Sequence, residues 1–464
     1  MIDTIQREPF IEVHEFTGTL SDGSDLVVTD LHVVISYSKN NRGKIYGKIY
    51  GTDATSESLA PIANSSSKLL SLYSKNSEGE FFSNQVLIQQ QSYRQQVAQK
   101  RNTVTYEVMS LELFEFSKID YVDTELGGKR LLTFFLTGPK NIWPVYQAMT
   151  CLDTGEIKNN IDDLSLELDK RFTIIVRPVY FYDKIANPIG AQISTYTIAI
   201  CFETEVAEEE LSDEQLVNEG KSFVEDIVLL ASFLCKHWAA WYAYTLVTKK
   251  SVHFSIESRQ RASEIRINRD EIPIDLRRMK DFFQIAGSRL RSLRREDIDL
   301  TLPLTYYISG NEAKYTEEQF VKTFLGLEKL KDIYAQKYKL EKNLSNTKFD
   351  KIKTKLSEMI KQEIEDTELA ANICDKLPEL NRPKLRTILD KLFDTYNIKW
   401  DDIYPQNSQF SLIKTRDILF HSSKEVTTYE LFLELQRLQI LLTRVFLRIL
   451  DWEDLSRTVK GYQL

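Results

Sequence analysis

The chain has 464 residues, 42% of them hydrophobic and 28% charged, a composition that is typical of folded globular proteins and excludes collagen-like or low-complexity chains. Its 60 Lys and Arg residues against 68 Asp and Glu residues give a net charge of −8, which excludes the overall basic excess of many nucleic-acid-binding proteins. Any site for a polyanion must therefore be local. At roughly 100 to 200 residues per domain, this length predicts two or three domains.

The cysteines and the first residues bear on metal binding and on the compartment. The four cysteines lie far apart, with neither a Cys-x-x-Cys pair nor a histidine at zinc-ligand spacing. We therefore predict reduced cysteines, with no disulfide framework and no structural zinc. Because the first residues lack a charged segment followed by an apolar one, we expect no secretion signal and a cytoplasmic protein.

Residues 1–206 are predicted to form a β-sandwich-like domain. Runs rich in Val, Ile, Thr, Phe and Tyr, several of them alternating apolar with polar residues, are separated by polar turns, and helical periodicity is scarce. The predicted strands span 10–20, 26–37, 44–50, 85–89, 104–116, 130–136, 171–182 and 195–205.

Residues 207–315 form a linking region that begins with a long predicted helix. Ser212 and Gln215 have the spacing of a capping box, which predicts a helix start. The stretch 227–247 is apolar and long enough to cross a bilayer, but Lys236 and His237 interrupt it. We therefore predict a buried core helix here and no membrane span.

The same linking region is rich in arginine between residues 251 and 300. Ten arginines fall there, interleaved with acidic residues, which favours a solvated face crossed by salt bridges. The alternative is a phosphate-contacting surface, since guanidinium groups match phosphate oxygens well. The predicted RNA-binding residues are Arg289, Arg291, Arg294 and Arg295.

From Thr316 onward the pattern becomes helical and predicts an all-α bundle over residues 316–464. Thr316 and Gln319 have capping-box spacing ahead of an apolar stripe that includes Phe320 and Phe324. The final helix is apolar nearly all round between residues 431 and 450, so it must pack on more than one side. The further predicted helices span 347–365, 368–377, 383–396, 409–420 and 423–454.

The main chemical signal is Arg416-Asp417-x-x-x-His421, near the end of a short predicted helix. Asp417 and His421 are four residues apart, so on a helix they share a face and the carboxylate can orient the imidazole. The next helix starts directly afterwards, and helix N-terminal amides can receive an anion. The junction therefore suits a phosphodiester.

With this motif, residues 316–464 resemble an Apea-like HEPN domain, in which a helical bundle carries Arg, a polar residue, a spacer and His ahead of a long last helix. The run Phe324-Leu325-Gly326-Leu327-Glu328-Lys329-Leu330 on the first helix is similar to a pattern of the same group. Residues 1–310 resemble only loosely the β-rich region that often precedes such domains. Two positions depart from the pattern: Asp417 stands where Asn is commoner, and Ser422 where Gly is frequent.

The resemblance implies a metal-independent endoribonuclease that needs no cofactor, in which the RNA 2′-hydroxyl attacks the adjacent phosphate. His421 would be the general acid or base, Arg416 would stabilise charge on the phosphorane, and Asp417 would position them. The resemblance also implies RNA as substrate, a homodimer, and a role in prokaryotic anti-phage defence with a phage-derived trigger.

Two other interpretations stay open at this point. The motif residues can form an ordinary helix-surface salt bridge in a non-catalytic HEPN module that dimerises and binds RNA or protein, because short motifs often arise by chance. A metal-dependent nuclease elsewhere in the chain is the weaker alternative, since the sequence shows no assembled acid cluster. We expect a solvated or capping role for Glu328, and a turn or helix-cap role for Asp401 and Asp402.

Overall fold

The computed structural model describes residues 14–23, 27–37, 45–51, 69–77, 79–99, 102–124, 126–139, 142–143, 149–150, 157–158, 164–183, 192–257, 267–268, 271–404, 412, 415–416 and 427–454. The chain divides into two compact units, one of Met1–Val228 with Ala239–Ile267 and one of Leu229–Trp238 with Asn268–Leu464. The first unit is rich in strands and the second is helical, so the fold class is α+β. The predicted domain boundaries at 206 and 315 stay predictions.

Six strands of the β-rich unit close into a ring. They are β1 (His14–Ser21), β2 (Val27–Tyr37), β3 (Ile45–Gly51), β4 (Leu70–Lys75), β5 (Gly79–Gln99) and β6 (Asn102–Leu113). Their antiparallel pairings run β5-β4-β1-β2-β3-β6 and return to β5, whose 21 residues are long enough to pair with several neighbours. Alternate residues such as Leu20, Val33 and Val86 point inward and are fully buried.

The sheet continues from β5 into a further row of strands. This row is ordered β7 (Glu115–Tyr121), β15 (Ser251–Glu257), β14 (Ala240–Val247), β8 (Arg130–Thr137), β13 (Gln192–Thr204), β12 (Thr173–Asp183) and β11 (Leu164–Leu166). A separate two-stranded pair joins β9 (Met149–Thr150) to β10 (Ile157–Lys158). Every residue of β8 is buried, so this strand is covered on both faces.

Helix α1 (Asp213–Cys235) begins in this unit and packs closely on β8. A Cβ atom at Gly220 would lie 2.4 Å from Leu132 Cδ2, so only glycine permits this approach. The predicted capping box is confirmed. The Ser212 hydroxyl accepts from the backbone N–H of Gln215 at 3.2 Å, and the Gln215 side-chain oxygen accepts from the backbone N–H of Ser212 at 2.9 Å.

Two sequence predictions about this part of the chain were wrong. The described strands do not form the two separate sheets of a sandwich, because thirteen of them belong to one continuous sheet. The stretch 227–247 is not one helix: α1 ends at Cys235 and β14 begins at Ala240. Lys236 adopts a left-handed φ of 56°, which ends the helix, and the following Trp, Tyr, Thr and Val residues favour a strand.

The helical unit contains α2 (Met279–Arg295), α3 (Thr301–Glu312), α4 (Thr316–Lys337), α5 (Asn346–Glu363), α6 (Thr367–Lys376), α7 (Leu385–Thr395) and α8 (Thr428–Ile449). Helix α4 packs against α3, α7 and α8. A Cβ at Gly310 would lie 2.5 Å from Thr323 Oγ1, so the glycine lets α3 and α4 approach closely. The core between α4 and α8 includes Phe320, Leu327, Leu438 and Leu442.

The starts of α4 and α8 differ from the predictions. Tyr315 is the N-cap of α4, and Gln319 Nε2 donates to the carbonyl of Ala313 at 2.8 Å, so the predicted Thr316 capping box was wrong. The capping box of α8 is formed by Thr427 and Glu430, and the helix begins at Thr428 rather than at residue 423. Within the described residues, no helix combines the length and apolarity needed to cross a membrane.

Candidate functional site

Arg416 is the one motif residue that the structure describes. Together with Thr415 it is helical, and the Thr415 side chain is buried. Asp417 and His421 lie outside the described residues, as does Ser422. The geometry of the site is therefore argued from Arg416 and from the helices that contact it.

Helix α4 holds the guanidinium of Arg416 through Glu328. The Arg416 Nη2 atom lies 3.6 Å from Glu328 Oε1, and the two side chains are 30% and 27% exposed. Glu328 follows the buried Leu327 and is fixed by a helix whose other face is in the core. At this exposure the ion pair contributes about 0 to 1 kcal/mol, so it favours the rotamers that direct Arg416 toward α4 and leaves the guanidinium partly in solvent.

From the sequence we expected a solvated or capping role for Glu328; in the structure its side chain is 27% exposed and pairs with Arg416. The two residues are 88 positions apart, so helical spacing within α4 carries no information about the contact. Glu328, the acidic residue of the Phe324–Leu330 run, thus contacts Arg416, the first residue of the motif.

The segment that precedes the motif is anchored on helix α8. Arg444 makes a two-pronged contact with the Asp402 carboxylate, at 2.7 and 2.6 Å, and also donates to the carbonyl of Lys399 at 2.9 Å. These bonds to Arg444 lower the pKa of Asp402. Asp402 lies in a turn, as predicted, and its carboxylate anchors that turn on α8.

A buried polar cluster lies beside that anchor. The Glu434 side chain is fully buried on α8, its Oε1 accepts from Arg437 Nη1 at 3.0 Å, and burial raises its pKa. The guanidinium of Arg437 lies 6.0 Å from the ring centre of Tyr404, whose pKa is raised well above its usual value by burial. Sequence reasoning missed this cluster, although a lone Glu in the apolar run 431–450 was a signal for it.

The four predicted RNA-binding arginines are all placed on α2. Arg289 contacts Glu296 at 2.9 Å and Asp451 at 3.2 Å. Arg294 lies 3.7 Å from Asp299 and donates to Thr301 Oγ1 at 3.4 Å. Arg291 is half-buried, while Arg295 is exposed. The contacts of Arg289 and Arg294 are those of a salt-bridged face, and RNA binding by these residues stays a prediction.

Comparisons with family models, with curated proteins and with solved structures found no match to this chain. The resemblance to HEPN domains therefore depends on Arg416, Asp417, His421 and the run 324–330 alone. Among the described residues, no group of three or more His, Cys, Asp and Glu side chains is arranged to hold a metal ion.

Proposed function

We propose that the helical unit is a HEPN-type endoribonuclease domain that cleaves RNA without a metal ion. The observation that carries this proposal is the Arg416–Glu328 pair, which ties the first motif residue to a core-anchored helix ahead of the long helix α8. An arginine that is fixed but still 30% exposed can both keep its orientation and reach a phosphate.

The proposed reaction is an internal transfer at one phosphodiester. A base removes the proton from the RNA 2′-hydroxyl, the 2′-oxygen attacks the phosphorus, and the 5′-oxygen leaves with a proton from an acid. The products are a 2′,3′-cyclic phosphate and a 5′-hydroxyl. His421 supplies one of the two proton transfers, Arg416 stabilises charge on the phosphorane, and Asp417 orients His421.

In the proposed cellular role the protein acts in prokaryotic anti-phage defence as a homodimer. The β-rich unit selects RNA or senses a phage-derived trigger, and the helical unit then cleaves RNA. This part of the proposal derives from the resemblance to HEPN proteins.

The second candidate is a non-catalytic HEPN module that dimerises and binds RNA or protein. The observation in its favour is the same ion pair, because a guanidinium engaged by Glu328 can serve a structural purpose alone. The two candidates differ in whether RNA cleavage requires Arg416 and His421.

The test is cleavage of a mixed tRNA and mRNA pool by the purified full chain in the presence of a chelator. We expect cyclic-phosphate ends with wild type and a loss of at least about a hundredfold in Arg416→Ala and in His421→Ala, in line with the usual share of general acid–base catalysis. Arg386→Ala, which changes an exposed arginine on α7, is the control and should cleave like wild type.

A further arm tests whether Glu328 positions Arg416. Glu328→Gln should lower kcat while leaving RNA affinity unchanged, and Glu317→Gln on the exposed first turn of α4 should change neither.

If wild type is inactive, the assay is repeated with extract of phage-infected cells as a source of trigger. The proposal is contradicted if folded wild type cleaves no RNA in the presence of that extract, or if RNA cleavage survives His421→Ala. Activity that the chelator abolishes favours a metal-dependent nuclease instead.

A further inference from the structure

Helices α5 and α6 form a hairpin that packs mainly on itself. They are joined by only three residues, and Cys374 Sγ on α6 lies 4.0 Å from the carbonyl oxygen of Ser357 on α5. Among their described residues, each helix has one buried side chain, Phe349 and Ala370, whereas α4 has eight. The hairpin is therefore poorly covered by the rest of the described helical unit.

The two chain segments at the base of the hairpin are bonded to each other. Asn381 exchanges two hydrogen bonds with Leu344, at 2.8 and 3.0 Å, and its carbonyl accepts from the backbone N–H of Asn343 at 2.8 Å. These bonds hold the start of α5 beside the chain that leaves α6, so the hairpin is closed at its base.

One face of the hairpin carries large apolar side chains in water. Ile352 and Met359 on α5 are 43% and 59% exposed, Leu369 on α6 is 50% exposed, and Leu380, in the short 3-10 segment after α6, is 66% exposed. Ile352 and Met359 are seven residues apart and share one side of α5. Leu369 directly precedes the buried Ala370, so it lies about 100° around α6 from the side that Ala370 buries. This apolar face is the kind of surface that marks an interaction site.

The charges of the hairpin are separated along its length. The base segment 346–356 has four lysines and one aspartate, a net charge of +3, while the tip segment 357–368 has five acidic residues and one lysine, a net charge of −4. An antiparallel pairing of two such hairpins places each basic base beside an acidic tip. The surface is therefore self-complementary, as an interface with two-fold symmetry requires.

We propose that two copies of this chain dimerise through their α5–α6 hairpins, packed antiparallel across a two-fold axis. Ile352 of one copy packs on Met359 of the other, and Leu369 packs on Leu380. The axis passes near Lys355, midway between base and tip. Helix α5 is about 27 Å long, so the four helices form a short bundle with an apolar seam. This inference does not depend on the proposed ribonuclease activity.

The oligomeric state of the full chain tests the proposal. Sedimentation velocity should show a dimer for wild type, and Ile352→Glu with Met359→Glu should raise its dissociation constant at least about tenfold, equivalent to about 1.4 kcal/mol. Both positions are exposed, so the variant should keep the wild-type circular dichroism spectrum. Leu302→Glu, at a position on α3 that is 46% exposed, is the matched control and should stay dimeric.

Two further variants test the antiparallel arrangement. Lys348→Glu should weaken the dimer at low salt, and adding Glu363→Lys should restore it. In a separate variant, Lys355→Cys should form a disulfide between the two copies on oxidation, above the background of the native cysteines. Lys348→Cys should not.

Three results overturn the proposal. The first is a monomeric wild type at tens of micromolar, and the second is a dimer that Ile352→Glu with Met359→Glu leaves unchanged. The third is a dimer abolished by Tyr429→Glu with Phe432→Glu, at the exposed start of α8, and not by the hairpin variants. No RNA is present in these experiments, so their failure is distinguishable from a failure of the proposed activity.

Discussion

At the scale of single residues, burial determines the chemistry more than residue type does. His253 on β15 lies in aromatic contact with Tyr244 and Phe82, with ring centres 5.4 and 6.0 Å away. Its Nε2 atom is buried and has no hydrogen-bond partner within the described residues. Burial lowers the pKa of His253 to about 4, and the positive charge of Lys221 lowers it further while Asp213 opposes the shift.

This histidine should make the β-rich unit less stable in acid. Between pH values of about 6.5 and 4 the unfolded chain binds a proton that the folded chain does not, so the free energy of unfolding falls as the pH falls through this window. The full difference is worth about 3 kcal/mol, and above a pH of about 7 the effect is absent. His253→Phe should therefore flatten the pH dependence in urea unfolding between pH 4.5 and 7.5.

The control for that experiment is His32→Gln, which changes a half-exposed histidine paired with Glu15. Its pH profile should follow that of wild type. Parallel profiles for wild type and His253→Phe would show that the His253 imidazole gains a proton in the folded protein as easily as in the unfolded chain.

At the scale of elements, the end of α1 shows how a single backbone position separates a helix from a strand. Lys236 has a φ of 56°, its backbone N–H donates to Phe233, and that of His237 donates to the carbonyl of Ser232 at 3.2 Å. This is the usual geometry of a helix C-terminus, in which glycine is favoured. A lysine there carries a conformational cost that glycine does not.

Lys236→Gly should therefore raise the free energy of unfolding by about 0.5 to 1 kcal/mol, because relief of the left-handed strain exceeds the extra entropy of the unfolded glycine. Lys329→Gly, inside α4, should lower it by about 1 kcal/mol. Chemical unfolding of both variants measures the difference. A loss of stability in Lys236→Gly would mean that the lysine side chain contributes contacts that outweigh the strain.

The same element shows why sequence patterns predicted only part of this fold. Composition and alternation identified most strands before residue 206 and the helices after residue 316, since these patterns are local. The apolar residues around Lys236 do not reveal its left-handed conformation, so the sequence pattern predicted a helix where residues 240–247 form a strand. Strand β5 was predicted as five residues, because its polar second half pairs with β6 through backbone bonds that side chains do not reveal.

The candidate site has the same division between local and distant information. The Arg416 motif and the spacing of Asp417 and His421 are local features, and the sequence supplied them. The contact between Arg416 and Glu328 joins residues far apart in the chain, and so does the contact between Asp402, in a turn, and Arg444 on α8. Such contacts depend on how helices pack, which no window of sequence contains.

At the scale of the whole molecule, the net charge of −8 means that any bound RNA needs a local cationic surface. Arg289 and Arg294 already contact acidic residues, so binding a phosphate there requires exchange of one ion pair for another. Arg295 is exposed, and within the part of the chain that the structure describes its side chain makes no ion pair that would have to be exchanged. If helix α2 contacts RNA, Arg295 should contribute most of the salt-dependent affinity.

We expect Arg295→Gln to reduce the slope of log affinity against log salt by about 0.7, the value for one lost phosphate contact with single-stranded RNA. The measurement uses fluorescence anisotropy with a labelled single-stranded RNA, in a His421→Ala background so that the RNA stays intact. Arg386→Gln on α7 is the matched control. An unchanged slope in Arg295→Gln would place the RNA surface elsewhere in the protein, whereas an equal change in the control would show that any surface cation contributes.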